Sequence, residues 1–304
     1  QRGGRLLDVR LDELLRRGHR VRALVRSDPI ARPGVDSVRA DLFDRAALAD
    51  AMRKCDAVIH LVGIIREVPG KGQTFDRVHR EGTMAVVDGA KRAGVQRYIH
   101  MSALGARLDS ASEYARTKAE AEAYVRESGL AYTIYRPSVI HGPGGEFMQM
   151  VADFARGRSM PFLFMPYFGT GLLGQESRLL QPILLDDVAR AFVDAVERAD
   201  LTAKSIDLVG AQRVSWKDLY GIVRSQLSRK RPRLGIPSWY ASLLTRVVPA
   251  PLLPFNRSQV VMATENSVAD VDELTRVLGW KPAGFEESFK SYASTLTSRG
   301  DAPA

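Results

Sequence analysis

Short apolar runs with strand character alternate with amphipathic helical stretches along the first two-thirds of the chain. The runs fall at 20–25, 37–39, 57–62, 97–101, 132–135 and 206–209, and helical periodicity at 7–17, 45–53, 74–93, 112–128 and 187–198. Parallel neighbours need a crossover, usually a helix, so this alternation restricts the chain to β-α-β units. The run "DAVIHLVG" is apolar without interruption, as in strands covered on both faces. The expected class is α/β, with a doubly wound parallel sheet. After about Gly142 the alternation weakens, and Gly and Pro gather in "HGPGGEF", "FGTGLLG" and "VVPAPLLPF". The expected division is a core of residues 1–142 continued by 181–210, and a smaller C-terminal lobe of 143–180 and 211–304 for a substrate or partner.

A complete sheet of this kind opens on a strand and a glycine-rich turn into a helix, where a dinucleotide pyrophosphate meets backbone N–H groups. Here only "QRGGRLLDVR" stands before "LDELLRRGHRV". Counting back from Gly18, Gly4 falls on the second glycine of a GxxGxxG loop, while Gln1 and Leu7 occupy the first and third positions. The expectation is a Rossmann fold without its first strand and most of its glycine loop. Upstream truncation and a degenerate loop both account for that. The cost of unpaired backbone at a sheet centre favours truncation.

"VRALVRSD" ends its strand on Arg26, where an acidic residue would hold the ribose 2′-hydroxyl of NAD. An arginine there suits the 2′-phosphate of NADP, and equally a solvated surface in an arginine-rich chain. Asp41 and Leu42 would border the adenine, or Asp41 would only cap the next helix. "YARTK" sets Tyr114 and Lys118 four residues apart on one helix face, after the strand of "RYIHMSALG". In a reductase such an ammonium lowers the tyrosine pKa, and the phenol passes a proton to a carbonyl. "IYRPSVIHGPG" makes a Pro/Gly loop at a strand end, the edge where open α/β sheets bind ligands. "QPILLDDVARAFVDAV" reads as an acid-capped packing helix. His60, His79, His100 and His141 are scattered and read as structural.

The single cysteine, Cys55, excludes an internal disulfide, and no Cys/His cluster has metal-ligand spacing, so no metal is expected. No run approaches the roughly 18 apolar residues of a membrane span. The net charge of +9 reads as a generally basic surface, or more sharply as attraction to phosphates or an anionic membrane, and no nucleic-acid motif accompanies it. The segment from Arg229 to Phe255 joins a basic cluster to a short helix. That helix carries Trp239, Tyr240, Leu243, Leu244, Val247 and Val248 on one apolar face, with Leu252, Leu253 and Phe255 beyond. It reads as a helix packed over the ligand cleft, or as a peripheral membrane or subunit contact.

The strings "GHRVRALVR", "DAVIHLVGIIRE", "VHREGTMAVVDGAKRAGVQRYIHMSALGA", "YARTKAEAE", "YTIYRPSVIHGPG" and "QPILLDDVARAF" together resemble the atypical extended short-chain dehydrogenases/reductases. The nearest branch is the NADPH-binding accessory subunit of respiratory complex I and its bacterial relatives. The likeness covers residues 12–210 well and "NSVADVDELTRVLGWKPAGFEESFKSY" faintly. It implies that Tyr114 and Lys118 are the catalytic pair, with Lys118 also on the ribose. It places Gly63 beside the cofactor and Pro137–Val139 along the nicotinamide. The family's catalytic Ser or Thr falls on Ala103, next to Ser102, which is the candidate hydroxyl. The family's helix Asn falls on His79. The implied function is an NADP(H)-binding (NAD second), reductase-like protein of weak or no turnover. The alternatives are a non-catalytic subunit docked on a membrane complex and a nucleotide-sugar epimerase or dehydratase. The substrate stays unidentified, and the implied location is cytoplasmic or peripheral on the inner face of a membrane.

Overall fold

The computed structural model describes residues 4–26, 28–248, 255 and 257–296. The described chain enters on α1 (Gly4–Arg16) and runs through β1 (Val21–Val25), β2 (Val35–Arg39), α2 (Arg45–Ala51) and β3 (Ala57–His60). A π-helical turn, Asp76–Glu81, leads into α3 (Gly82–Ala93), β4 (Arg97–Met101), α4 (Glu113–Glu127) and β5 (Ala131–Pro137). Next come β6 (Ile140–His141), α5 (Glu146–Arg156), β7 (Met165–Gly169), β8 (Leu179–Leu180), β9 (Ile183–Leu184), α6 (Leu185–Glu197) and β10 (Lys204–Leu208). The remainder holds β11 (Val214–Ser215), α7 (Trp216–Gln226), β12 (Arg233–Pro237), α8 (Ser238–Val247), α9 (Arg257–Ala263), α10 (Val271–Leu278) and α11 (Phe285–Tyr292). Two compact units result: Gln1–Pro137 with Val188–Asp207, and Ser138–Asp187 with Leu208–Ala304.

The first unit holds two sheets. β1 and β2 pair in parallel, from Val21 opposite Val35 to Val25 opposite Arg39. The larger sheet has the order β10-β5-β4-β3, and β3, β4 and β5 run parallel. No described strand bonds one sheet to the other. Leu48, Val87, Ala90, Tyr98, Val125 and Ile134 form the core that joins α2, α3 and α4 to the larger sheet. Each of the leucine, valine and isoleucine side chains among them contributes roughly 1.5–3 kcal/mol by leaving water. Tyr135 of β5 donates its hydroxyl to Ala191 O of α6 at 2.8 Å, and its ring lies 4.9 Å from that of Phe192.

Local chemistry sets the boundaries. Asp44 caps α2, its Oδ1 accepting from the backbone N–H groups of Ala46 and Ala47 at 3.1 and 3.0 Å. The cap is therefore Asp44, not Asp41, whose Oδ1 accepts from Phe43 N at 2.8 Å and closes a turn before the helix. β3 stops at His60, short of the expected Val62, because the chain leaves the sheet to carry Gly63 toward α4.

In the second unit β6 and β9 pair in parallel, β8 and β11 antiparallel, and β7 and β12 in parallel over five residues. Met148, Val151, Tyr220, Phe285 and Phe289 centre its core. β12 was absent from the sequence expectation, since prolines bracket it and Gly235 sits at its middle. The reason for the glycine is local. The carbonyl of Gly174, in the turn after β7, packs onto the backbone of Gly169 and Gly235, and a Cβ at either would overlap it. Leu252 and Leu253 lie outside the described residues.

Candidate functional site

The site is built at the C-terminal edge of β3 and β4, where α4 crosses them. Lys118 is buried, and its Nζ donates to the carbonyl of Met101, the last residue of β4, at 3.0 Å. Gly63 faces it: a Cβ on Gly63 would lie 3.0 Å from Lys118 Nζ and 3.7 Å from His79 Nε2. Only a residue without a side chain leaves that space open. Tyr114, one turn before Lys118, is half-buried, with its ring edge-on to Phe75 at 5.6 Å and His79 at 5.2 Å.

His79 lies in the π-helical turn. Its Nδ1 is 3.0 Å from Thr117 Oγ1, and its Nε2 lies 3.2 Å from Ile64 N and 3.1 Å from Ile64 O. The ring thus fixes the loop after β3 to α4. His60 and His100 are cross-strand partners at the ends of β3 and β4, with rings 5.3 Å apart, and His60 Nδ1 lies 2.7 Å from the Tyr98 hydroxyl. Three of the four histidines named from the sequence are therefore gathered around Lys118 rather than scattered. The fourth, His141, is in the second unit, 2.9 Å from the Tyr292 hydroxyl.

Burial dominates the electrostatics. It pushes the Tyr114 phenol up to about 12, and Lys118 does not pull it down as the sequence reading expected. The ammonium is committed to Met101 O. Burial lowers Lys118 to about 8, against the attraction of Glu122. Burial, then Lys118, lowers His60 and His79 to about 3, and His100 is lowered by burial and His60. All three imidazoles are neutral near pH 7, and Tyr114 keeps its proton. Burial would raise Glu122, but Arg136 grips it at 2.8 and 2.6 Å, and with Ser102 and Arg126 holds it below the usual carboxylate range.

The remaining candidates are distributed as follows. The buried Ser102 Oγ makes no hydrogen bond of ordinary geometry, although it is close enough to Glu122 to favour the carboxylate, and the Ser102 backbone N donates to Tyr135 O at 2.8 Å. Ala103 is buried and offers a methyl group where the family resemblance sets a hydroxyl. Arg26 is exposed directly after β1. Leu42 packs on α3 at Gly82, where a Cβ would come within 2.8 Å of its Cδ2. Gly4 is the first residue of α1. Pro137 ends β5 and its carbonyl accepts from Leu104 N at 3.0 Å. Val139 lies in the second unit, against that unit's core. Sequence reasoning missed Glu122, although it follows Lys118 by one helical turn, and it missed the pairing of His60 with His100, which needs the strand register. Among the described residues no group of three or more His, Cys, Asp or Glu could hold a metal ion.

A family model described as NAD(P)H-binding matches residues 8–154. The chain is 30% identical over 173 residues to mouse mitochondrial NADH dehydrogenase (ubiquinone) 1 alpha subcomplex subunit 9, covering 57% of this chain and 43% of that protein. It is 36% identical over 152 residues to the ceramide reductase of Caulobacter vibrioides, 48% of this chain and 47% of the relative. It thus spans less than half the length of both. With the sterol demethylase protein B of Methylococcus capsulatus it shares 28% identity over 322 residues, 94% of each chain. The fold matches that of an Escherichia coli NADPH-dependent quinone oxidoreductase complexed with NADPH, with a TM-score of 0.74, 19% identity and 96% of both chains covered. Residues 8–154 thus match an NAD(P)H-binding family, and the fold of the chain is the Rossmann-type α/β fold of these structural neighbours.

Proposed function

We propose that this protein binds NADP(H) in preference to NAD(H) and reduces a carbonyl group, with Tyr114 as the proton donor. The observation that carries the reading is the convergence of Tyr114, Lys118 and Gly63 at one sheet edge, with the phenol protonated at neutral pH. A Cβ on Gly63 would crowd Lys118 Nζ at 3.0 Å, so the glycine keeps the ammonium clear of a side chain at the sheet edge where a ribose would lie. Bound there, the nicotinamide supplies a hydride. Tyr114 would supply the proton to the carbonyl oxygen, and Lys118, which gives one N–H to Met101 O, would have others for the ribose. The neutral His79 fixes the loop of Gly63 against α4. Arg26, exposed after β1, would meet the 2′-phosphate.

Calorimetric titration tests the cofactor reading. NADPH binds more tightly than NADH, and Arg26→Ala narrows that gap by roughly 1–3 kcal/mol, the scale of a charge-assisted hydrogen bond. Equal affinities in the parent would end it. NADPH oxidation with a panel of ketones and aldehydes tests the chemistry. Tyr114→Phe lowers turnover about 10²-fold or more and leaves cofactor affinity unchanged.

A second reading, an accessory protein with a nucleotide site and no turnover, docked on a partner at the inner face of a membrane, is favoured by two positions. Ala103 lacks a hydroxyl, and His79 is spent on Thr117 and Ile64. NADPH binding with no oxidation across the whole panel selects it.

A further inference from the structure

From Leu219 to Thr264 the chain carries seven arginines and lysines and no aspartate or glutamate, in a protein with 35 acidic residues. From Phe154 to Gln175 it again has no acid, and it has Arg156 and Arg158. The fold brings these two stretches together, since β7 of one pairs with β12 of the other. Beyond the pair, Trp239 Nε1 donates to Leu172 O at 3.1 Å, so the loop after β7 is fastened to the first turn of α8. The close approach of Gly174 to Gly169 and Gly235 fixes the same loop from beneath.

α8 presents its apolar side to water. At about 100° per residue, Trp239, Leu243, Val247 and Tyr240 occupy one arc, Arg246 lies on its margin, and the buried Ala241 points away from it. The four are 45–72% exposed, and Leu172 and Leu173 beside them are 77% and 76% exposed. Arg229, Lys230 and Arg246 are exposed, and no described carboxylate pairs with any of them. An apolar stripe with this margin repels its own copy, because two copies would bring two acid-free basic rims together. It suits a surface that is apolar within and anionic at its face. Ten residues are too few to span a bilayer, and enough to lie in its plane.

We propose that α8 and the Leu172–Leu173 loop dock the protein on an anionic lipid bilayer. The stripe enters the boundary between head groups and acyl chains, with Trp239 and Tyr240 at head-group depth, and Arg229, Lys230 and Arg246 meet lipid phosphates. This docking does not depend on the cofactor reading, and NADPH titration reads that separately.

Flotation of the full chain with phosphatidylcholine vesicles, with and without phosphatidylglycerol, tests the proposal. The protein floats only with phosphatidylglycerol, and added salt releases it. Arg246→Gln weakens binding about fivefold. The double substitution Leu243→Ser and Val247→Ser weakens it by more than about tenfold. Both aliphatic side chains are exposed, so the melting temperature of the double variant stays that of the parent. Brominated lipid quenches the tryptophan emission, and Trp239→Phe removes most of that quenching. Absence of flotation, equal binding to neutral vesicles, or undiminished flotation of the double variant overturns the proposal. So does a concentration-dependent dimer that the double variant abolishes, which assigns the stripe to a second copy.

Discussion

Arg10 is the residue whose environment least suits its chemistry. It is 1% exposed in α1, its guanidinium lies 3.8 Å over the Phe192 ring, and Nη2 reaches only Met101 Sδ at 3.5 Å. Nε and Nη1 have no partner, and burial pushes the group down to about 9. Stacking on an aromatic ring returns only part of the cost of desolvating a cation. Arg10→Leu therefore raises the thermal midpoint, by the equivalent of about 1–4 kcal/mol. A fall would show that the stack outweighs the desolvation. Arg10 is an instance of what the sequence hides, since an arginine in a helix reads as a surface residue until its neighbours are known. Tyr114 and Lys118 were legible because their relation is local, one turn of one helix. Their electrostatics were not, because burial by Phe75 and His79 comes from elements that are far apart in sequence.

Among elements, periodicity located the strands and helices of the first unit to within a few residues, because each has a buried face whose spacing is written in the chain. It failed at β12, where a strand is held by backbone contact rather than by an apolar pattern. Gly235→Ala tests that account. Its Cβ would meet a carbonyl oxygen of the Gly174 turn, not the movable end of a side chain, so the backbone must shift. The expected loss is about 1–3 kcal/mol, read from the midpoint of denaturant unfolding. Gly221→Ala is the control, since its Cβ would meet only the end of the Arg233 side chain at 3.0 Å. Equal midpoints for the two variants would remove backbone crowding as the reason for glycine in β12.

For the molecule as a whole, stability is divided unevenly between the two sheets of the first unit. β4 lies between β3 and β5 and buries Tyr98, Ile99 and His100, whereas β1 and β2 bury only Ala23 between them. Two strands with so little buried surface are marginal by themselves. Amide hydrogen exchange therefore runs faster in β1 and β2 than in β4 and β5, by one or more orders of magnitude. Uniform protection across both sheets would show that they unfold as one body. The parallel α/β class was legible because strand and helix alternate along the chain. The break between the sheets follows the expectation of an absent central strand, because a helix with no strand before it leaves the neighbouring edges unpaired.

β1, β2 and β3 each turn one row of backbone donors and acceptors toward no described strand. An open ladder is a template, and whatever strand reaches it first completes it. The same geometry gives a short synthetic peptide of alternating apolar residues a place to anneal, in competition with self-assembly into fibres.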